Sequence, residues 1–516
     1  MGILKPAYQK AIIDSIIAGI NANTAQYYAF AANPVAYPAS VPTLTEDDMS
    51  SVTDFNTTIE FGKKLANSDF AYMIRNIVWT ANTRYDRYDN TISLANSDYY
   101  VIAPPSIVGG DYLVFKCIDN NSNGLSTEVP DQLQTQSFTK ADSYIWRYVA
   151  SISSAHYSKF ATTDFVPLYS NSSVIADADQ NAGIEVVVVA NGGTGYACYH
   201  DGHVQSVVNT TVIQIETDAS NDNDFYVNNA IYIYNDISVG GQLLTIADYV
   251  SNTTGKWVYL ASAANTSSIT TGVTNYKISP RLVFDHDGTS DPAGYTTINT
   301  TSNSITGAVI IDPGTSISRA SVSIASNTVY GSGANLYCIA PPPGGHGSDV
   351  FSELHVTGLG IAFQFSGTES NTISGVVPYN KIGVVTNLYS LNANNTKGTA
   401  FSSNTFSQVL QGTVSPSATF TVGDTVTGNT SGAVGQVAFS NSSTIMLTGD
   451  KDFANGEYIT SSNGDVTTAL TITTRGDIYA KSINPIYVQN TDNIQRSNTQ
   501  NEAFKIIVKF TSNTGG

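Results

Sequence analysis

Short runs of β-branched and aromatic residues, separated by breaks that contain Asn, Gly or Asp, make up most of this chain. The runs at residues 99–103, 112–118, 144–152 and 184–189 have the length and composition of strands. Residues 504–510 alternate into a terminal strand in the same manner. The pattern of apolar and polar positions therefore predicts strands along most of the sequence.

Helical spacing of apolar residues is clear near the start, over residues 7–22, and predicts a short amphipathic helix. A proline-punctuated segment, residues 34–42, predicts an extended connection. Capping residues at 43–48 precede a second predicted helix over residues 51–65. The fold class that follows is mainly β, with a β-sandwich core, short helical excursions and inserted small β domains.

The residue composition changes along the chain, and these changes divide it into segments. After residue 181, β-branched runs replace aromatic-rich ones, and a turn is predicted at residues 191–196. The sequence Pro341-Pro342-Pro343-Gly344-Gly345 continues neither a helix nor a central strand. Charged residues are sparse from 410 to Asp450, where residues 422–428 and 455–460 are predicted as two strands of a small barrel or sandwich. The predicted segments are residues 1–180, 181–345, 346–395, 396–475 and 476–516.

Composition and charge exclude some functions. Only 12% of the 516 residues are charged, about half the usual share, and Asn, Ser, Thr and Gly take the surface positions instead. The formal net charge of −18 repels a phosphate backbone, and Arg75, Arg84 and Arg87 are interleaved with Asp86 and Asp89. Nucleic-acid binding is therefore not expected.

The three cysteines, Cys117, Cys198 and Cys338, have no metal-ligand spacing and cannot all pair within one chain. We expect them to be buried small hydrophobic residues in a reducing compartment. The apolar stretch at the N-terminus is too short and too interrupted to span a bilayer, and no small-residue cleavage site follows it. The expectation is a protein made in the cytosol, without membrane insertion.

Several local motifs contain residue types found in chemical sites, but their context favours structural roles. Gly344-Gly345-His346-Gly347 lacks the lysine and the strand–loop–helix context of a phosphate loop, so a structural turn is expected. Asp285-His286-Asp287-Gly288 and His200-Asp201-Gly202-His203 could offer metal ligands, but both are more typical of exposed turns. No Gly-x-Ser-x-Gly elbow is present. A glycosidase carboxylate pair stays open, because acidic residues are plentiful. No catalytic, cofactor-binding or metal-binding residue is predicted, no cofactor is expected, and the chain is predicted not to be an enzyme.

Motifs near the two ends of the chain resemble one known family, and they occur in the same order. The motifs are Tyr27-Tyr28-Ala29-Phe30 followed by Pro34, Pro38 and Pro42 and then Thr45-Glu46-Asp47-Asp48; Met73-Ile74-Arg75 with Trp79 and Thr83-Arg84-Tyr85-Asp86-Arg87-Tyr88-Asp89; Val114-Phe115-Lys116-Cys117-Ile118-Asp119; Ser143-Tyr144-Ile145-Trp146-Arg147-Tyr148; Tyr379-Asn380-Lys381-Ile382-Gly383-Val384-Val385-Thr386-Asn387; and Arg496-Ser497-Asn498-Thr499-Gln500-Asn501-Glu502 leading into Phe504-Lys505-Ile506-Ile507-Val508-Lys509-Phe510. They resemble the dimeric β-sandwich baseplate wedge subunit of T-even-type contractile-tailed phages and its cyanophage relatives. Ser143 stands where the family has glycine, and Leu388 where it has proline.

The resemblance covers residues 20–175, 345–395 and 476–511, so that 181–345 and 396–475 would be inserted β domains between parts of a wedge core. It implies a virion structural protein of the tail baseplate, assembled in the host cytoplasm. The implied partners are the other baseplate wedge proteins of the same phage, with a homodimer within each wedge and six wedges around a hub. The resemblance implies action through protein–protein contacts in baseplate assembly, tail attachment and contraction.

The aromatic residues of the motifs have two interpretations. Trp146 is expected in the sandwich core, whereas Trp79, Arg84, Tyr85 and Tyr88 lie in a turn-like segment and are predicted as interface anchors. The alternative function is a tail-associated glycan-binding or depolymerase protein with its site in the inserted segments. An unrelated secreted adhesin is a third possibility, disfavoured by the odd cysteine count and by the missing signal peptide.

Overall fold

The computed structural model describes residues 6–22, 25–42, 56–90, 92–178, 183–236, 240–325, 331–367, 369, 377–393, 395–449, 452–462 and 466–509. The chain is mainly β, with 48% strand and 10% helix, which confirms the predicted fold class. The described helices are α1 (Pro6–Asn21), α2 (Ser154–Phe160), α3 (Ser172–Ala178) and α4 (Val350–Glu353), with single 3₁₀ turns at Asn67–Asp69, Thr266–Ser268 and Ala480–Ser482. The predicted first helix is confirmed by α1.

The strands follow in chain order. The first group is β1 (Tyr27–Ala32), β2 (Ile59–Lys64), β3 (Phe70–Arg75), β4 (Tyr100–Ala103), β5 (Tyr112–Asp119), β6 (Phe138–Thr139), β7 (Ile145–Ile152), β8 (Phe165–Leu168), β9 (Val186–Thr194), β10 (His200–His203), β11 (Ser206–Asn209), β12 (Val212–Ile215), β13 (Ala230–Asp236), β14 (Gly240–Asn252), β15 (Gly255–Leu260), β16 (Asn275–Ser279), β17 (Leu282–His286), β18 (Ala293–Asn299), β19 (Ser304–Asp312), β20 (Ala320–Ile324) and β21 (Ser332–Ile339). The second group is β22 (Gly358–Ser366), β23 (Tyr379–Thr386), β24 (Tyr389–Leu391), β25 (Lys397–Ala400), β26 (Thr405–Ser407), β27 (Leu410–Ser415), β28 (Thr425–Gly428), β29 (Val434–Ser440), β30 (Thr444–Gly449), β31 (Tyr458–Ser461), β32 (Thr467–Thr474), β33 (Asn484–Ile494) and β34 (Asn501–Lys509).

The chain forms two compact units. The first, here called the split unit, combines Met1–Met73 with Thr357–Gly516, and the second, the continuous unit, is Ile74–Val356. The ends of the split unit's two pieces are neighbours, because the Thr357 N–H donates to the Met73 carbonyl at 3.1 Å. The continuous unit is thus inserted at a single point between adjacent strands, β3 and β22.

Two sheets of the split unit face each other through a layer of aromatic rings. One sheet has the order β26-β2-β1-β23-β33, and in the other β22 lies between β34 and β3. Phe61 of the first sheet contacts Phe365 of the second with ring centroids 5.0 Å apart, and Tyr379 lies 6.4 Å from Phe504. Interdigitating side chains from two inner faces are what make a β-sandwich core.

The split unit also contains a small closed barrel with the strand order β27-β30-β29-β28-β31-β32. Its interior holds buried aliphatic residues, among them Val426, Leu447 and Ile459. The two strands predicted at 422–428 and 455–460 are found as β28 and β31, and they pair directly, with Val426 opposite Ser461. Closure pairs every strand and so explains how a segment with few charged residues avoids exposed strand edges.

The continuous unit is built from several sheets. A four-stranded sheet has the order β4-β5-β7-β6, and a seven-stranded sheet has the order β10-β16-β13-β14-β15-β12-β11. The pairs β9–β21, β17–β20 and β18–β19 form further two-stranded sheets of this unit. Trp146 on β7 is fully buried and stacked on Tyr144 with centroids 5.4 Å apart, which confirms a core position, although this core belongs to the four-stranded sheet and not to the sandwich.

Two element predictions were wrong. Residues 56–58 are helical, but Ile59–Lys64 form strand β2 where the second helix was predicted; residues 51–55 lie outside the described residues. Ile59 and Phe61 are buried in the sandwich, and tertiary burial outweighs the local capping signal.

The second wrong prediction concerns the turn at residues 191–196, because β9 continues as a strand to Thr194, paired with β21. Two glycines allow it: a side chain at Gly192 or Gly193 would collide with the backbone of Ile305 or Ser332. Glycine here permits close approach of neighbouring backbones.

All three cysteines are buried, which confirms that part of the prediction. Burial raises the pKa of the Cys198 thiol to about 12 and that of Cys338 to about 11. Burial also raises the pKa of Cys117 well above its ordinary value. Because the thiolate is the reactive form, these thiols are poor nucleophiles at neutral pH.

Candidate functional site

A group of buried charged side chains converges in the continuous unit and is here called the ionic cluster. Its members come from separate elements: Lys116 from β5, Arg147 from β7, Asp177 from α3, Glu185 from the residue before β9, His346 from the Gly-rich loop after β21, and Glu353 from the end of α4. Lys116 and Arg147 are directly opposite each other in the β5–β7 pairing. Sheet register therefore places two cations side by side, and the loops around them supply the anions.

Glu353 is the centre of the ionic cluster, and its side chain is fully buried. Its Oε1 accepts from Lys116 Nζ and lies 2.6 Å from His346 Nδ1, while its Oε2 accepts from the Gly347 N–H at 2.6 Å. The Glu353 carbonyl accepts from the Tyr99 hydroxyl at 2.6 Å. A buried carboxylate is tolerated only with such partners, and here both oxygens are engaged.

His346 lies between two carboxylates. Its Nδ1 is in contact with Glu353, and its Nε2 lies 3.0 Å from Glu185 Oε1. The Nδ1 contact has hydrogen-bond geometry, whereas the Nε2 contact with Glu185 is close without it. The ring also packs edge-on against Tyr88, with centroids 5.2 Å apart.

Arg147 pairs with two of the carboxylates. Its guanidinium contacts Glu185 at 2.6 Å and Asp177 at 3.3 Å. Three carboxylates thus face Lys116, Arg147 and the ring of His346. Paired charges of this kind hold distant chain segments in one arrangement.

Burial dominates the titration of the groups around Glu353. It lowers the pKa of Lys116 to about 8, an effect that the neighbouring Glu353 and Glu185 carboxylates oppose. Burial raises the pKa of Tyr88, and Glu353 and Glu185 add to the rise. Both phenols, Tyr88 and Tyr99, are held in their neutral forms at physiological pH.

A cleft of about 360 Å³ adjoins the cluster. Its described lining combines apolar and polar residues: Tyr88, Asn90, Ile92, Leu94, Pro342, Pro343, Asp349, Ser352, Glu353 and His355. Burial lowers the pKa of His355, which keeps this imidazole neutral. Since the oxygens of Glu353 are already occupied by Lys116, His346 and Gly347, the geometry favours a structural role for the carboxylate over proton transfer to a ligand.

The four predicted interface residues fall into two groups. Tyr85 and Tyr88 are buried: the Tyr85 hydroxyl accepts from the Thr80 N–H at 2.7 Å, and Tyr88 N–H donates to the Cys117 carbonyl at 2.8 Å. Trp79 is half-buried, with its indole N–H donating to Ser126 Oγ at 3.1 Å.

Arg84 is exposed, and its Nε donates to the Asn123 carbonyl at 3.1 Å. Trp79 and Arg84 are therefore the members that a partner can reach directly. Their role at an interface stays a prediction.

The exposed turns expected at the two His/Asp motifs are found only at Asp287-Gly288, because His200–His203 form β10 and Asp285 and His286 end β17. His203 Nδ1 lies 3.2 Å from Glu216, and His286 Nε2 lies 3.1 Å from Asp291. Asp287 accepts hydrogen bonds from Ser318 and Arg319. Over the part of the chain that the structure describes, no three His, Cys, Asp or Glu side chains come together as metal ligands.

The ionic cluster was missed at the sequence level. Lys116 and Arg147 stand in quoted motifs, and His346 in the Gly-rich loop, yet their anionic partner Glu353 is 237 residues from Lys116. A charged residue inside an otherwise apolar strand, as at Lys116, was the available signal, since such residues are rarely buried unless paired.

No family model matches this sequence, and no curated protein is significantly similar to it. Among the described helices, none is both long enough and apolar enough to cross a membrane.

Proposed function

We propose that this chain is a structural subunit of the baseplate wedge of a contractile phage tail. In this role it resides in the virion baseplate after assembly in the host cytoplasm. It acts through contacts with other wedge proteins, as a homodimer within each of six wedges around a hub, and performs no catalysis.

The observation that carries the proposal is the convergence of the family-like motifs onto two cores. In the continuous unit, the motif strands containing Lys116 and Trp146 are hydrogen-bonded neighbours. Tyr85 packs on Trp146 with centroids 5.9 Å apart. Motifs separated by tens of residues therefore meet in one place, as expected of residues that define a shared core.

The same convergence occurs in the split unit. The motif strand β23 pairs with β1, so that Phe30 is opposite Gly383, and the C-terminal motif strand β34 pairs with β22. These strands form the aromatic-lined sandwich around Tyr379. A β-sandwich core assembled from both ends of the chain is what the resemblance implies.

The ionic cluster supports a structural role. A catalytic carboxylate needs an oxygen that can face a substrate, whereas both Glu353 oxygens are bonded to Lys116, His346 and the Gly347 N–H. Buried charges that are paired in this way fix the geometry of the chain segments that carry them, which suits a structural subunit.

An exposed apolar loop supplies a contact surface of the expected kind. Between β4 and β5, the side chains of Ile107 and Val108 are 74% and 104% exposed. Such residues at a loop tip are suited to insertion into an apolar pocket of a neighbouring subunit. We assign this loop, residues 104–111, to contact with another wedge protein.

The depolymerase alternative needs two carboxylates facing each other across a substrate groove, about 5–10 Å apart. A cleft of about 770 Å³ in the split unit has Asp452 as the carboxylate of its described lining. A second carboxylate is missing from that described lining, so the geometry disfavours hydrolysis there.

The experiment is reconstitution. The purified chain is measured by light scattering coupled to size exclusion, first alone and then mixed with the other wedge proteins of the same phage. We expect a dimer of about twice 54.8 kDa that enters a larger complex. A monomer that stays separate from every wedge protein contradicts the proposal.

A further inference from the structure

The split unit has a cleft of mixed polar and apolar lining beside its barrel. Its volume is about 770 Å³. Barrel strands β28, β29 and β30 contribute Thr425, Gln436 and Thr448 to one side, and the 3₁₀ turn Ala480–Ser482 and the residue before it contribute Tyr479 and Lys481. A cleft of this size is in the range that binds small ligands.

Two amide oxygens in this cleft are unsatisfied. Asn56 Oδ1 and Asn395 Oδ1 are buried and have no hydrogen-bond partner among the described residues. Asn395 Nδ2 donates to Asp452, which orients the Asn395 amide so that its oxygen is the free atom. Both oxygens are enclosed by protein atoms, so the hydrogen-bonding groups that a ligand can reach are those of the more exposed lining residues, such as Thr425.

We propose that this cleft binds a neutral oligosaccharide. Sugar hydroxyls both donate and accept, which matches amide and hydroxyl side chains of the lining such as Gln436 and Thr425. Tyr479 provides an aromatic ring for the apolar C–H face of a sugar. This binding activity goes beyond the structural role and does not depend on it.

The charges of the cleft and of the whole chain favour a neutral ligand. Asp452 and Lys481 in the cleft have opposite charge, so the described lining offers no net attraction to an anion. The chain as a whole carries −18, which repels acidic polysaccharides and nucleotides at a distance. A purely apolar ligand would leave the amides unpaired. A neutral glycan satisfies the lining without a charge penalty.

The test uses the full chain on an array of neutral and acidic bacterial-surface oligosaccharides, followed by titration calorimetry with the best neutral binder. Gln436→Ala and Tyr479→Ala are each expected to weaken binding by about tenfold, the effect of one lost hydrogen bond or one lost stacking contact. Tyr458→Ala is the matched control, because Tyr458 is a barrel tyrosine that is 55% exposed and lies outside the cleft lining. The affinity of the Tyr458→Ala variant for the glycan is expected to stay within twofold of that of the parent chain.

Thr425→Val is a third cleft variant, chosen because it is expected to leave the fold intact. Thr425 is exposed on β28, and valine keeps its shape and strand preference while removing the hydroxyl. Thermal unfolding of each variant confirms the fold before titration. Binding that responds to the cleft substitutions, but not to Tyr458→Ala, supports the proposal.

Three results overturn it. These are no binding to any neutral glycan at millimolar concentration, binding that the cleft substitutions leave unchanged, and a preference for acidic glycans. If the parent binds no glycan and the cleft variants no longer form complexes with the wedge proteins, the cleft binds a segment of a partner protein instead. Dimerisation and wedge entry are measured separately, so failure here leaves the structural role intact.

Discussion

Glu60 and Glu457 are both buried carboxyl groups, but they differ in hydrogen bonding. Neither oxygen of Glu60 has a hydrogen-bond partner among the described residues, and burial raises its pKa well above the ordinary value, against the opposing charge of Arg496. Burial would also raise the pKa of Glu457, but hydrogen bonds from Ser431, Thr430 and Ala454 outweigh it and lower that pKa. The two groups should therefore titrate with opposite consequences for stability.

Glu60→Gln should flatten the dependence of stability on pH. Because the folded-state pKa of Glu60 is raised, the protonated carboxyl stabilises the fold below pH 4.5, and this contribution is lost as pH rises through the folded pKa. Glutamine stays neutral, so the unfolding free energy of the variant should exceed that of the parent increasingly toward alkaline pH, by about 1–3 kcal/mol. Urea unfolding at a series of pH values from 4.5 to 9 measures the difference.

Glu457→Gln is the matched control with the opposite sign. The lowered pKa of Glu457 means that its contribution is present above pH 4.5 and is lost as pH falls through the folded pKa. The variant should be less stable than the parent at pH 7, by about 1–3 kcal/mol, and the gap should narrow in acid. Parallel pH profiles for the two variants would contradict both assignments.

Lys116 and Glu353 should be strongly coupled, because both side chains are fully buried and in contact. Lys116→Met leaves an excess of buried negative charge and is expected to cost about 3–5 kcal/mol. The double variant Lys116→Met with Glu353→Gln should lose less than the sum of the single losses, by at least about 1 kcal/mol. A double-mutant cycle from urea unfolding measures the coupling, and additive losses would show that the contact contributes little.

At the scale of elements, alternation and turn chemistry located many strands well. The segments around Val114, Trp146 and Ile506 were predicted from their apolar runs and are strands β5, β7 and β34. The errors arose where tertiary contacts decide: Ile59 has helix-compatible neighbours in sequence but is buried between strands, and Gly192 has turn character but permits close packing. Neither the burial of Ile59 nor the close packing at Gly192 can be predicted from a short stretch of sequence.

The candidate sites were harder to predict than the strands. Lys116, Arg147 and His346 could be singled out as residues, yet their pairing depends on a fold that brings Glu353 to them. The cleft beside the barrel also depends on the fold, because its lining residues Asn56 and Asn395 are far apart in sequence. Long-range topology sets both sites, and periodicity carries no information about it.

The loop between β4 and β5 gives a prediction at this scale. Ile107→Asp with Val108→Asp should abolish entry into the wedge complex, because charges would be forced into an apolar pocket of the partner. Stability should change by less than about 0.5 kcal/mol, since both side chains are exposed. Leu133→Asp, at an apolar residue that is 60% exposed, is the control. Reconstitution by size exclusion reports assembly, and a double variant that still assembles would show that this loop is not the contact.

For the whole molecule, the insertion point between Met73 and Thr357 gives the last prediction. Replacing residues 74–356 with a Gly-Asn-Gly linker should leave the split unit folded. The reason is local: the Thr357 N–H already bonds to the Met73 carbonyl, and β3 and β22 pair from Gly358 opposite Met73 to Ile361 opposite Phe70. A short turn can therefore close this hairpin without moving either strand. Cooperative thermal unfolding with a β-type circular dichroism spectrum is the expected result.

Deletion of residues 181–345 is the informative comparison, because it follows the segment boundaries inferred from sequence texture instead of the compact units. That deletion removes Glu185 while keeping Arg147 and His346, so it leaves buried cations of the ionic cluster without their shared carboxylate. It also removes β9 and β21, whose pairing leads into the Gly-rich loop. We expect this second protein to aggregate or to unfold without cooperativity. The opposite outcome would be a folded 181–345 deletion and an unfolded 74–356 deletion. It would show that the segments inferred from sequence are the folding units, and that Met73 and Thr357 do not mark an independent folding boundary.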